Sequence, residues 1–140
     1  MLTERIGRLV HREKMITASP QTTVYEAARL MLEHAISAVL VVDGGALAGI
    51  FTERDAVFRV VAQGRDAFGV RLGEVMTPKP LTVDLEMTFG RALLIMQEHR
   101  IRHLPVVADG RPVGIVSARD ALDPELEDFV CEERRRESLR

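Results

Sequence analysis

Apolar residues fall along this chain in two rhythms, and the whole sequence of rhythms occurs twice. Leu2, Ile6, Leu9 and Val10 recur at helical spacing, which predicts a short helix before the first unit. Met15-Ile16-Thr17 reads as a short strand and Ser19-Pro20-Gln21-Thr22 as a turn. Thr23 and Glu26 stand three apart, the spacing of a capping box, and Val24, Ala27, Ala28 and Met31 make one face of the helix it opens, running to about Ala35. Ala38–Val42 is a continuous apolar run rich in β-branched residues, as a strand buried on both faces reads. Asp43-Gly44-Gly45 turns the chain into a return strand, Leu47–Phe51. Thr52 then starts a second helix, expected to turn Val57, Val60 and Val61 inward and to end at Gly64.

A connector follows, in which Leu72, Val75 and Met76 suggest a helical turn stopped by Thr77-Pro78-Lys79-Pro80. The plan then recurs: a strand near Leu81-Thr82-Val83, a helix from Phe89 to His99, a strand His103–Val107, a turn at Asp109-Gly110, a strand Pro112–Val116 and a helix starting at Ser117. Pro105 and Pro112 inside strand patterns mark an edge or a strand end. Asp123 and Pro124 are placed to begin a last helix, along which Leu126, Phe129 and Val130 form a narrow apolar stripe. His11-Arg12-Glu13-Lys14 reads as a polar connector.

Laid on itself at an offset of 65 residues, Thr17–Ala56 matches Thr82–Ala121 without a gap, and Thr17, Thr23, Ala27, Met31, Glu33, His34, Ile36, Val41, Val42, Gly45, Gly49, Ile50, Arg54, Asp55 and Ala56 meet identical partners. This is an internal duplication. Two copies are too few for a solenoid; they predict an α/β (α+β) fold of two β-α-β-β-α units packed face to face about a pseudo-two-fold axis, with paired clefts. The division expected is a lead-in 1–15, a first repeat 16–64, a linker 65–80, a second repeat 81–122 with its lead-in at 72–80, and a helical tail 123–140.

Composition narrows the function. The 140 residues are 46% hydrophobic, enough for one real core, and the net charge of −2 argues against a nucleic-acid binder. A lone Cys131 cannot form an internal disulfide and fits a reducing compartment. The start shows no secretory h-region and no apolar run would span a bilayer, so a cytoplasmic protein off the membrane is expected. No Cys/His cluster has metal-ligand spacing, and His34 and His99, each ending a helix, read as capping or surface residues. No nucleophile–base pair or phosphate-binding Gly-rich loop argues for an enzyme.

The candidate chemistry lies in the repeated endings Gly49-Ile50-Phe51-Thr52-Glu53-Arg54-Asp55 and Gly114-Ile115-Val116-Ser117-Ala118-Arg119-Asp120. Hydroxyl and Asp three apart are a helix start in their own right. Yet Asp is kept in both copies, Arg54 and Arg119 stand beside it, and the motif opens at a strand end. A carboxylate there can accept both hydroxyls of a ribose, while hydroxyl, amides and Arg hold phosphate.

With Ile36-Ser37-Ala38-Val39-Leu40-Val41-Val42-Asp43, Ile101-Arg102-His103-Leu104-Pro105-Val106-Val107 and the two Gly-x-x-Ser/Thr-x-Arg-Asp endings, residues 4–122 closely resemble a tandem pair of CBS domains, a Bateman module. The resemblance implies two clefts shared between copies, binding an adenosine nucleotide: AMP foremost, with ADP, ATP, NAD or S-adenosylmethionine as alternatives. A first cleft would combine Ile16, Thr17, Ile36 and Ser37 with Arg102, His103, Ser117, Arg119 and Asp120. Asp120 would take the ribose, the basic residues and Ser117 the phosphate, and Thr17, Ile36 and Ser37 the base. A second would combine Leu81, Thr82, Ile101 and Arg102 with Thr52, Arg54, Asp55, Ser37 and Ala38. The first, with small residues by the base and basic ones by the phosphate, is expected to bind better. The resemblance further implies a homodimer that signals to an effector protein; the alternative is a ligand-free structural or dimerisation module.

Overall fold

The computed structural model describes residues 1–10 and 15–139; the connector His11–Lys14 lies outside them, as do the side chains of residues 121–128 and 130. The order is α1 (Ile6–Leu9), β1 (Thr17–Ala18), α2 (Val24–His34), β2 (Ala38–Asp43), β3 (Ala46–Thr52), α3 (Glu53–Asp55), α4 (Leu72–Val75), β4 (Thr77–Pro78), α5 (Phe89–His99), β5 (His103–Ala108), β6 (Arg111–Ser117) and α6 (Leu122–Ser138). The first copy builds a sheet β1-β2-β3-β4 and the second a pair β5-β6. β1 runs parallel to β2, and the other neighbours are antiparallel.

The two repeat helices form as their sequences dictate. Thr23 accepts from the Glu26 amide at 3.1 Å while Glu26 takes the Thr23 amide at 3.0 Å. Val24, Ala27 and Met31 of α2, and their counterparts Phe89, Ala92 and Met96 of α5, are buried. β2 alternates between two cores: Val39 and Val41 face α2, whereas Ala38 and Leu40 pack with Ile50 against Met15, Leu47 and Ile115. Ile115 belongs to β6, so this second face is where the sheets of the two copies meet.

The lead-in segments are exchanged between copies. Ile6 sits in the second copy's core with Val83, Phe89 and Leu104, and its amide donates to the Met87 carbonyl at 2.9 Å. Leu72 sits in the first copy's core with Val24 and Phe51, and its amide donates to Thr22 at 2.8 Å. Gly7 to Leu85 and Gly73 to Pro20 repeat the match at 2.9 Å each. Gly49 and Gly114, equivalent in β3 and β6, give room for the incoming segments. A Cβ on Gly49 would stand 2.5 Å from the Met76 sulfur and 2.8 Å from the Thr77 carbonyl oxygen; one on Gly114 would meet Val10.

Two expectations are corrected. After α3 the helix widens into a π-type run, Ala56–Val61, with the Ala62 amide reaching back five residues to Val57 at 2.8 Å. A wheel of 3.6 residues per turn no longer applies. Val60 alone of the three valines is buried, while Val57 and Val61 are 52% and 70% exposed. Ser117 opens a tight 3-10 turn, Ala118–Ala121, which runs on into α6. Asp123 is therefore inside that helix and does not cap it; Leu126 and Val130 of the expected stripe fall among the side chains not described, and Phe129 is exposed. The Tyr25 ring at the start of α2 lies 4.4 Å, centre to centre, from that of Phe68.

Gly49→Ala is expected to cost about 1–3 kcal/mol in urea unfolding, because the Thr77 carbonyl is held in the β3–β4 ladder and cannot retreat as a side chain would. Gly69→Ala, whose Cβ would meet nothing closer than 3.6 Å, should be near neutral. Equal costs for the two would remove the exchanged lead-in as the reason for the glycine.

Candidate functional site

The two copies meet through side chains at the starts of their central strands. Ser37 stands just before β2 and His103 opens β5, and Ser37 Oγ lies 2.9 Å from His103 Nε2. Each pre-strand segment also holds the end of its own copy: the Ser37 carbonyl accepts from the Glu53 amide at 2.9 Å, and the equivalent Arg102 carbonyl from Ala118 at 3.0 Å. The turns carrying Thr52–Asp55 and Ser117–Asp120 are thereby fixed beside the line where the copies join.

The two motifs are in different states. Thr52 and Asp55 form a complete capping box, at 3.0 and 3.2 Å, and Asp55 Oδ1 also pairs with Arg59 at 3.5 Å. Asp120 takes the Ser117 amide through Oδ2 at 2.9 Å, and among the described residues its Oδ1 has no partner. Both carboxylates are half-buried. The acceptor left open is thus in the second copy, on the side assigned to the first cleft.

The segments expected on the base sides differ as well, for one covalent reason. In the first copy the Leu40 amide donates to the Ile16 carbonyl at 3.0 Å, so Ile16 and Thr17 are tied to β2. Pro105 replaces Leu40 in the second copy and has no N–H to give. Only the Val83 bridge to β5 survives, through bonds to Pro105 and Val107 at 3.0 and 2.9 Å. The strand expected at Leu81-Thr82-Val83 is absent, and Leu81 and Thr82 are exposed. Pro105 sits where a proline can: its nitrogen faces the outer edge of β5, beside its Val83-bonded carbonyl.

Of the first-cleft residues, Ile36 is half-buried, its amide donating to Met31 at 3.0 Å, and Arg119 is exposed. Of the second-cleft residues, Ala38 is buried in the inter-copy core, and Arg54 lies over the Phe58 ring at 4.9 Å. Arg54, Ile101 and Arg102 come together at a hollow of about 400 Å³. Gln97 and Arg100 line it too, and sequence reasoning missed both. Their signal was present: Leu93, Met96, Gln97 and Arg100 form one stripe of α5. Glu53 was missed in the same way; its charge acts on His103.

The sequence model of the CBS domain matches residues 6–62 and 72–125. The chain belongs to the CBS-domain family. It is a tandem CBS-domain pair, and the matched ranges begin at the first residues of the exchanged helices α1 and α4. It is 39% identical over 107 residues to the CBS domain-containing protein YhcV of Bacillus subtilis (strain 168), covering 76% of each chain. It is 41% identical over 105 residues to the mitochondrial CBS domain-containing protein CBSX3 of Arabidopsis thaliana, covering 71% of this chain and 51% of that protein. The chain thus spans only about half the length of the Arabidopsis relative. Among solved structures, the CBS domain pair of protein MJ0100 in complex with 5′-methylthioadenosine and S-adenosyl-L-methionine superposes with a TM-score of 0.78 at 28% identity, over 86% of this chain and 98% of that one.

In this CBS pair, burial pulls the His103 pKa below its ordinary 6.5, against the opposing pull of Glu53 and Asp120 and with help from Arg102. The folded protein therefore prefers a neutral ring beside Ser37. Below pH 6.5 the unfolded chain takes up a proton that the folded chain resists, so stability falls as pH drops from 6.5 towards the folded value and is unaffected above it. Urea unfolding at pH 7.5 and 5.5 checks this. His103→Gln should lose less stability between the two than wild type, and a constant gap between the proteins would count against the assignment.

Proposed function

We propose that this CBS pair is a regulatory module that binds an adenosine nucleotide in the first cleft and passes the signal to an effector protein as a homodimer. The observation that carries the reading is the Ser37–His103 contact at 2.9 Å, which sets the base-side segment of the first copy against the phosphate-side residues of the second. The tied β1 segment, the open Oδ1 of Asp120 and the neighbouring cations Arg102 and Arg119 support the same cleft. The adenosine ligands in the MJ0100 pair support the ligand class. AMP is the ligand we favour, with ADP, ATP, NAD and S-adenosylmethionine as the other members to test. Val57, Phe58 and Val61 supply exposed apolar area for a second copy.

One observation favours a structural role for the first copy's motif. Thr52 and Asp55 already satisfy each other as a helix start, and Asp55 is further engaged by Arg59. The second cleft is then the weaker of the two, as its exposed Leu81-Thr82 wall, which Pro105 cannot bond, also argues.

Thermal unfolding against AMP, ADP, ATP, NAD, S-adenosylmethionine and a guanine nucleotide, each at about 1 mM, tests the reading. A ligand at roughly 100 times its dissociation constant adds about 2.7 kcal/mol to the folded state, a rise of several degrees in Tm. The rise should appear with an adenosine ligand, vanish in Asp120→Ala and largely persist in Asp55→Ala. No shift with any of them would leave a ligand-free dimerisation module as the account.

A further inference from the structure

Arg59 joins two parts of the molecule that the sequence keeps apart. It stands four residues after Asp55, within the π-type run Ala56–Val61. Its Nη1 donates to the carbonyls of Val75 and Met76 at 3.1 and 3.2 Å, and its Nε lies 3.5 Å from Asp55 Oδ1. Val75 and Met76 close α4, the lead-in that completes the first copy's core. One side chain thus reaches from the carboxylate of the first repeated ending to the stretch that links the copies. At the offset of 65 residues the second copy has Pro124, a residue with no side-chain donor, which cannot make the equivalent contacts.

Two ordinary roles do not account for this geometry. An Asp–Arg pair four residues apart commonly supports a helix. Here, however, the ion pair is the longest of the three contacts, and carbonyls 16 and 17 residues further on hold the guanidinium more closely. A cation at the C-terminal end of α4 is favourable by itself, but gives no reason for the guanidinium to lie against Asp55. The carbonyls fix where the guanidinium stands. That place is beside the one Asp55 oxygen left over, since Oδ2 already takes the Thr52 amide. The Asp55 side chain is only 13% exposed, so any other approach to Oδ1 is narrow.

We propose that Arg59 couples the second cleft to the exchanged lead-in: a ligand donor reaches Asp55 Oδ1 only where Arg59 has left it, and Arg59 leaves only by releasing Val75 and Met76. Filling that cleft therefore loosens the seat of α4, and loosening α4 opens the cleft, because both effects are one coupling free energy. Arg59 is a positioning residue, acting on the ligand through Asp55. A cleft whose open form is a minority of chains binds more weakly by that fraction. The ligand side of the coupling rests on the adenosine reading; the hold on α4 does not.

Hydrogen exchange and calorimetric titration with AMP, on the whole chain and on Arg59→Met, test it. The substitution keeps an unbranched stem and removes every donor, and the Arg59 side chain is 48% exposed, so the variant should fold. Without ligand, the Leu72 and Gly73 amides, which seat α4 on Thr22 and Pro20, should exchange at least about fivefold faster in Arg59→Met. Ile6 and Gly7, which seat α1 in the second copy, should keep their rates. AMP should fill the second cleft of the variant at least about fivefold more tightly than that of wild type, and adding Asp55→Ala should remove the gain. Equal acceleration at α1 and α4, or none at either, would overturn the proposal. So would AMP held at the first cleft by both proteins with no gain at the second. AMP held by neither protein, with faster exchange still confined to α4, would overturn the adenosine reading and leave Arg59's hold on the lead-in standing.

Discussion

Everything in this structure depends on the exchange of the two lead-in helices. Neither copy closes its own core: Ile6 completes the second and Leu72 the first. Burying a side chain of that size is worth about 1.5–3 kcal/mol, and the backbone bonds that seat each helix add to it. A repeat of this length alone would be marginal, so folding of one copy is bound to folding of the other. The glycines at Gly49 and Gly114 are the steric condition for the arrangement, which gives the first residue of each repeated ending a structural reason distinct from that of its Asp.

The exchange also fixes what can move. With each copy anchored in the other, the sheets are held face to face through Ala38, Leu40, Ile50 and Ile115. The clefts are then defined by short segments at strand ends, where a few hydrogen bonds set the geometry. That is why differences of one residue between copies matter. Asp55 and Asp120 have the same sequence context, yet among the described residues one carboxylate is held by an amide and an arginine and the other by an amide alone.

Much of this was legible in the sequence because periodicity and duplication report on the same quantity, burial. The faces of α2 and α5, the double burial of β2 and both hairpins followed from residue spacing; the family resemblance set Ser37 and His103 in one cleft but did not foresee that their side chains touch. What was not legible depended on hydrogen bonds that leave no trace in hydropathy. The π-type widening after Asp55 turned Val57 and Val61 outward although their spacing is helical. The 3-10 turn at Ala118 merged two expected helices into one run. The polar rim of α5 lies outside the shared pattern of the duplication, since Leu32 and Ala35 stand in the first copy where Gln97 and Arg100 stand in the second.

Pro105 shows how a duplicated protein can divide labour without changing its fold. The residue is fully buried and packs in a strand as Leu40 does, so the core scarcely registers the difference. What is lost is a single donor, and with it the tether on the segment before Val83. Two walls descended from one sequence thereby acquired different anchorage. One is tied to its sheet by the bond from Leu40 to Ile16. The other meets its sheet at Val83 alone among the described residues, so the stretch from there back to β4 lies along the surface and a shift at Val83 is passed to the lead-in that closes the other copy.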